Sequence, residues 1–383
     1  MTEMERRTGI LRQAMAAGGV DLAAIAPTDN MRYLAGYVSH PDERLCLLLV
    51  SAQPPCAPLR RQGAIEDRGL PRAVVVVPRL NAGEWEARAN LPLFTWADDE
   101  GPGGALKAAL SGLGLTSVAR LVVDGEMRAD FLLPLMEMTA ATETVPLAAL
   151  NAPLRLHKSP EEVEALQKAA AQADRAMQVA VDACRPGVTE AQVAWAVEEA
   201  FRRDGAETVC FTLIGSGLNG ASPHHHSGAR ALQRGDAIVI DIGASLDHYK
   251  SDITRMVFLG EPPAEFVKAY DAVLQANERS RAAVAPGVHA CEVDRAARDV
   301  LEAAGYGPNF IHRTGHGLGL SIHEPPWIMA GNEQPLEAGM VFSVEPGVYL
   351  PGKFGIRVED IVVVTESGSR NMTGFDHRLV AKS

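Results

Sequence analysis

Four carboxylates and one imidazole stand out in this 383-residue sequence by their spacing. Asp241, Asp252, His316, Glu345 and Glu359 follow one another at intervals of 11, 64, 29 and 14 positions. Each acid lies in or beside a strand-like apolar run: IVIDIGA then SDITRMVF, and VFSVEPGVYL then GIRVEDIVVV. A hairpin sets the two acids of such a pair side by side. Four carboxylates converging in an apolar core repel one another and carry a large desolvation cost, which protonation or a metal must relieve. His316, in Thr314-Gly315-His316-Gly317-Leu318-Gly319, adds a ring nitrogen where glycines let backbone and ion approach closely. These hard donors suit Mn²⁺, Co²⁺, Fe²⁺ or Zn²⁺. Four negative charges match two divalent cations, a site that activates a bridging water as nucleophile.

The elements that must position these groups repeat. Pro186-Gly187-Val188, Val193, Ala196 and Gly205 have identical counterparts 100 positions later, from Pro286-Gly287-Val288 to Gly305. Each stretch is a helix-plus-turn unit, and each is followed by a glycine, an apolar run and an acid: Gly235 to Asp241, Gly339 to Glu345. The pattern predicts a pseudo-twofold domain with an acid from each half meeting at the axis. Upstream, Ser159-Pro160-Glu161-Glu162 is a capping box that starts a helix, and Thr189 with Gln192 starts the next. Residues 45–50, 74–77 and 121–123 read as buried strands of a first domain. The expected organisation is an amino-terminal α/β domain over 1–150, a linker over 151–158 and a catalytic α+β domain over 159–383. A Pro-rich loop at 53–63 carries Arg60 and Arg61, which read as solvated.

Composition narrows the partners. Lys and Arg number 36 against 48 Asp and Glu, a net charge of −12 that repels phosphate backbones and anionic headgroups, so neither nucleic acid nor membrane is expected. The five cysteines contain no Cys-x-x-Cys pair and read as free thiols in a reducing compartment. With no apolar signal core at the start and no membrane-length run, a cytoplasmic protein is expected. One motif points elsewhere: Gly215-Ser216-Gly217-Leu218-Asn219-Gly220 fits the G-x-G-x-x-G of NAD-binding oxidoreductases. That motif must open a helix, and Pro223, Gly228 and Gly235 leave no room for one, so a turn entering the following histidines is expected instead.

The ordered ligand set and its surrounding words resemble the metallopeptidases of the pita-bread (creatinase-like) fold, within which prolidases (Xaa-Pro dipeptidases) and aminopeptidase P are most similar. The matching words are Ile240-Asp241-Ile242-Gly243, Ser251-Asp252-Ile253-Thr254-Arg255, His312 to Gly319, His323-Glu324, Glu345-Pro346-Gly347-Val348-Tyr349 and Gly355-Ile356-Arg357-Val358-Glu359-Asp360. Residues 30–37 (NMRYLAGY) resemble the amino-terminal domain of the same group. The resemblance implies that Asp252 and Glu359 bridge two metals, Asp241 completes one shell, and His316 with Glu345 completes the other. It also implies that His224 and His323 line the site, binding substrate and, with Glu345, handling the proton. His312, Tyr349 and Arg357 match substrate-side positions. Two departures are Arg313, where a smaller residue is expected, and the run His224-His225-His226, in which His225 and His226 read as bystanders. The implied activity is hydrolysis of the Xaa-Pro bond of a small peptide with proline second, by a dipeptidase, with aminopeptidase P action on longer peptides as the alternative. A homodimer is implied as well. A metal-free creatinase-like hydrolase and a non-catalytic binding relative are disfavoured, because all five ligand types are present.

Overall fold

The computed structural model describes residues 3–52 and 72–382, leaving aside the side chains of 151–154. The 53–63 loop, with Arg60 and Arg61, lies outside the described residues. The chain divides into two compact units, Met1–Leu154 and Arg155–Ser383.

In the first unit the described strands form one mixed sheet. They are β1 (Leu22–Ile25), β2 (Leu47–Ser51), β3 (Ala73–Pro78), β4 (Leu93–Trp96), β5 (Arg120–Val123) and β6 (Glu143–Pro146), in the order β4-β3-β2-β1-β5-β6. The apolar runs seen in the sequence are β2, β3 and β5; β2 and β3 are buried throughout, as their lack of polar alternation requires, and β5 is buried at Leu121 and Val122. Helices α1 (Glu3–Ala17), α2 (Asp29–Ala35), α3 (Ala82–Arg88), α4 (Gly103–Gly112) and α5 (Ala129–Thr139) belong to this unit. Helix α6 (Ala148–Leu156) then runs through much of the stretch expected as a linker.

The second unit contains the acids. Helix α7 (Pro160–Ala183) starts at the Ser159–Glu162 capping box, and α8 (Glu190–Arg203) at that of Thr189 and Gln192. Helices α9 (Ala264–Ala282) and α10 (Ala290–Ala303) follow, so that α10 occupies α8's positions plus 100. Burial repeats with that offset: Val193 and Val293, Val197 and Ala297, Phe201 and Leu301 are all 0 % exposed. At about 1.5–3 kcal/mol for each large apolar side chain buried, these matched faces bind both helix pairs to their sheets.

One sheet comprises β7 (Thr208–Ser216), β8 (Ala237–Leu246), β9 (Tyr249–Lys250), β10 (Ile253–Leu259) and β18 (Val380–Lys382), with β8 between β7 and β10. The other, in the order β12-β11-β13-β16-β17, is built from β11 (Gly315–Gly317), β12 (Glu324–Ile328), β13 (Val341–Val344), β16 (Asp360–Thr365) and β17 (Gly368–Asn371). Strands β14 (Gly347–Leu350) and β15 (Phe354–Arg357) form a separate hairpin.

The two acid pairs are therefore reached differently. IVIDIGA and SDITRMVF are the adjacent antiparallel strands β8 and β10, with Thr254 opposite Asp241. Asp252 precedes Thr254 by two and so faces the same side. VFSVEPGVYL and GIRVEDIVVV are not single strands. Each breaks beside its acid: the first at Pro346, which has no N–H to continue a ladder, and the second at Val358 and Glu359, where the Glu359 amide bonds to the Thr254 carbonyl at 3.2 Å. The β13–β16 register, Val344 against Asp360, still carries Glu345 and Glu359 out of the sheet together.

Candidate metal centre

Asp252, His316 and Glu359 are buried and offer ligand atoms that lie within 4.8 Å of one another. His316 Nε2 is 3.7 Å from Asp252 Oδ2 and 3.3 Å from Glu345 Oε1. The fifth group, Asp241, pairs with the buried guanidinium of Arg357. All five sequence-predicted ligands thus converge, two from the first half of the unit and three from the second.

Backbone geometry makes this approach possible. A Cβ on Gly315 would lie 1.8 Å from the Ser343 carbonyl oxygen, and one on Gly317 would lie 2.1 Å from that of Pro325. Only glycine lets β11 press between its neighbours, as the sequence around His316 suggested. The ring itself is oriented by Nδ1, 3.1 Å from the Gly317 carbonyl. A carbonyl only accepts, so Nδ1 carries the proton and Nε2 presents its lone pair to the acids.

The charges are strained without a cation. Burial, then the charges of Glu359, Asp241 and Glu345, push the Asp252 carboxyl well above the usual range. Burial and the same crowd of acids do so for Glu359. Burial lifts Glu345 to about 7 and depresses His316 to about 3. Asp241 Oδ1 and Glu359 Oε1 are buried with no hydrogen-bond partner. Buried anionic oxygens left unpartnered, in a hard O/N donor set with a neutral imidazole, fit divalent cations.

Several groups that the sequence did not single out support these five. Thr254 donates its hydroxyl to Glu359 Oε2 at 2.7 Å, and Ser343 donates to Glu345 Oε1 at 3.1 Å while accepting from the His316 amide at 3.0 Å. Thr254 carried a signal only as part of a matching word, and Ser343 only as part of the apolar run before Glu345. Arg255 donates to Asp360 Oδ1 at 2.8 Å beneath the Glu359 backbone, which anchors β10 to β16.

The expected substrate-side residues surround the cluster. The exposed His323 ring stands edge-on to His316, centroids 4.2 Å apart. His224 is exposed, and its charge reaches both His312 and His323. His312 Nε2 is 3.0 Å from Tyr349 Oη, and Arg357 Nη1 is 2.7 Å from the same oxygen. Arg313 stacks over Trp327, its guanidinium carbon 4.4 Å from a ring centroid. That guanidinium has no hydrogen-bond or ion-pair partner among the described residues. Gly217, at φ +53°, opens only a 3₁₀ turn, Gly217–Ala221, so the glycine motif is the expected turn and not a dinucleotide site.

Two pseudo-symmetric α+β halves closing on a carboxylate-imidazole cluster define a metallohydrolase of the pita-bread class. The comparisons agree: residues 164–366 match metallopeptidase family M24, and residues 7–157 match the Creatinase/Prolidase N-terminal domain. The chain belongs to metallopeptidase family M24. It is 38 % identical over 380 residues to a probable dipeptidase PepE of Mycobacterium tuberculosis, covering 98 % of this chain and 96 % of that one. It is 33 % identical over 375 residues to an Xaa-Pro dipeptidase of Lactobacillus helveticus, with 96 % and 97 % covered. The crystal structure of a recombinant prolidase from Thermococcus sibiricus superposes with a TM-score of 0.90 at 32 % identity, over 100 % of this chain and 99 % of that one. Among the described residues no helix is long and apolar enough to cross a membrane.

Proposed function

We propose that this chain is a dinuclear-metal Xaa-Pro dipeptidase, working with Mn²⁺. The observation that carries the reading is the convergence of Asp241, Asp252, His316, Glu345 and Glu359 with unpartnered anionic oxygens facing inward. Asp252 and Glu359, the two most deeply buried of the four clustered acids, are the ones that would be shared by both cations. Asp241 would serve one cation, and His316 with Glu345 the other. When bound, the metal pair supplies Lewis-acid polarisation of the scissile carbonyl and acidifies the attacking water.

The chain's own residues do the rest. Glu345, beside the attacking water, takes its proton. The leaving proline nitrogen must gain a proton as its C–N bond breaks, and exposed His323 is placed to hand it over. His224, also exposed, orients the substrate. Arg313 supplies a positive charge near Glu345 that is held in no ion pair or hydrogen bond among the described residues, which suits the free carboxylate of a dipeptide and favours dipeptides over longer peptides. The enzyme acts in the cytoplasm as a homodimer, a reading that rests on the family resemblance.

Hydrolysis of Ala-Pro, Ala-Pro-Ala and Ala-Ala by Mn²⁺-loaded protein tests this. Ala-Pro is expected to be cleaved and the other two to be poor substrates, with activity abolished by EDTA and restored by Mn²⁺. Preferential cleavage of Ala-Pro-Ala would instead make it an aminopeptidase, and indifference to EDTA would remove the metal reading. Light scattering checks the dimer.

A further inference from the structure

Glu190 is 0 % exposed and stands outside the metal cluster. It occupies the first position of α8, where the aligned backbone N–H groups favour a negative charge. Its Oε1 accepts from the Ser216 amide at 2.9 Å, the Ser216 hydroxyl at 2.6 Å and Asn219 Nδ2 at 3.0 Å. Its Oε2 lies 2.8 Å from His225 Nε2 and accepts from the Gly228 amide at 3.2 Å. Burial raises its pKa, but the bonds from Ser216, His225 and Asn219 outweigh that and hold the carboxyl below its usual value. One ionised carboxylate therefore pins the loop 216–228 at both ends and in the middle.

The fold alone does not require an acid here. The equivalent position in the second half, 100 residues on, is Ala290, also 0 % exposed. A buried charge costs stability that a small apolar residue does not, so its presence in one half only calls for a local reason. That reason is the loop's cargo: His224 adjoins His225, and the same loop leans on the strand that ends in Arg357. A Cβ on Gly355 would lie 1.8 Å from the Gly220 carbonyl oxygen, so loop and strand are in direct backbone contact.

We propose that Glu190, acting through His225, is a positioning residue that fixes the exposed imidazole of His224 in the active site. His225 is then the hinge pin of the histidine run and not a bystander. The proposal deepens the dipeptidase reading and rests on it for the role of His224. The second half secures its own histidine segment differently: Asp294 accepts from the Thr314 hydroxyl at 2.7 Å, and Arg298 donates to the His312 carbonyl at 2.7 Å. A mobile His224 would spend less time in the productive orientation, which lowers kcat more than it weakens binding.

The test compares Glu190→Gln, His225→Phe and His225→Gln in the full chain, each alone and combined with His224→Ala. Glu190→Gln and His225→Phe are expected to lower kcat on Ala-Pro by roughly 10- to 100-fold with KM nearly constant and metal content unchanged. His225→Gln, which returns an N–H near the Nε2 position, should recover most of the rate. In the His224→Ala background Glu190→Gln should cost nothing further, because both changes act through one group. Wild-type kcat in Glu190→Gln, or losses that multiply with His224→Ala, would overturn the proposal. If Glu190→Gln does not fold, equal rates for the two His225 variants overturn it as well. Imidazole NMR of ¹⁵N-histidine-labelled, Zn²⁺-loaded protein reads the same point without substrate. The His224 signals should shift or broaden in His225→Phe while those of His323 stay put, and an unmoved His224 would refute the positioning even if Ala-Pro were not the substrate.

Discussion

Arg357 Nη1 donates to Tyr349 Oη at 2.7 Å, and that bond sets the proton order of a buried chain. His312 Nδ1 lies 2.7 Å from the Arg313 carbonyl, so it carries the ring proton, and Nε2 accepts from the Tyr349 hydroxyl at 3.0 Å. Burial, reinforced by the nearby Arg357 charge, holds His312 down to about 4, which keeps the ring neutral. At its other edge Arg357 pairs with Asp241 and donates Nε to Thr254 Oγ1 at 3.1 Å, whose own hydroxyl donates to Glu359. One guanidinium therefore ties acids of both halves to the substrate-side histidine.

Tyr349→Phe breaks that chain at its midpoint. It leaves an Arg357 N–H without an acceptor and His312 Nε2 without a donor, both in a buried setting. Each orphaned polar group costs about 1–3 kcal/mol. We expect a lower denaturant midpoint for the second unit and a weakened peptidase rate, with metal still bound because no ligand has changed. Chemical denaturation followed by metal analysis of the same sample checks both; an unaltered midpoint would mean that the chain contributes nothing to stability.

The metal-free protein should lose stability as pH rises above neutrality. Glu345, Asp252 and Glu359 have folded pKa values raised above their unfolded ones, so the stability they contribute is present at low pH and is lost as pH climbs through the folded values. His316 and His312 act in the opposite sense, their folded values being depressed, but their contribution is complete above about 6.5, the ordinary histidine value. Between pH 6.5 and 8 the carboxylates therefore act without that offset, and Glu345 alone removes about 1 kcal/mol. Melting curves of EDTA-treated protein at these two pH values should show the fall, and added Mn²⁺ should abolish it. A metal-free Tm that rises with pH in this window would contradict the carboxylate cluster.

Much of this centre is legible in the sequence because strands and turns are local. IVIDIGA and SDITRMVF carry their own register, and the repeat of 100 residues shows that two such units face each other. The breaks at Glu345 and Glu359 were not legible as breaks, although Pro346 marks one of them, since apolar content continues across each. The pairing of Arg357 with Asp241 joins residues 116 apart in different halves, and no periodicity encodes it. Glu190 was invisible for a related reason: at a helix start an acid serves the dipole by default, and only the tertiary fold shows that its five donors come from the histidine loop.

Removing one shared acid should empty the whole site. Asp252 is 4 % exposed and lies 3.7 Å from His316 Nε2, and it feels the charge of Glu359 in the same cluster. If Asp252 serves both cations, Asp252→Ala loses both metals and all activity, while exposed Glu86→Ala retains them. Elemental analysis after gel filtration gives the stoichiometry. Full metal content in Asp252→Ala would refute the shared assignment, and loss of one equivalent only would move Asp252 to a single metal.

Arg313 decides how the far end of the substrate is held. Its guanidinium lies over Trp327, is partly desolvated, and has no anionic partner among the described residues, while Glu345 is near enough for its charge to act on it. An arginine in that state gains most from a planar anion that it can grip with two N–H groups, and the carboxylate of a C-terminal proline is such an anion. Arg313→Met keeps the contact with Trp327 and removes the charge. We expect KM for Ala-Pro to rise about 10- to 100-fold, the cost of one charge-assisted pair of roughly 1.5–3 kcal/mol, with kcat little changed. Ala-prolinamide, which has no carboxylate, should be cleaved equally by both proteins. Steady-state kinetics on the two substrates measures this, and an equal loss on both would assign Arg313 to the architecture of the site and not to recognition of the carboxylate.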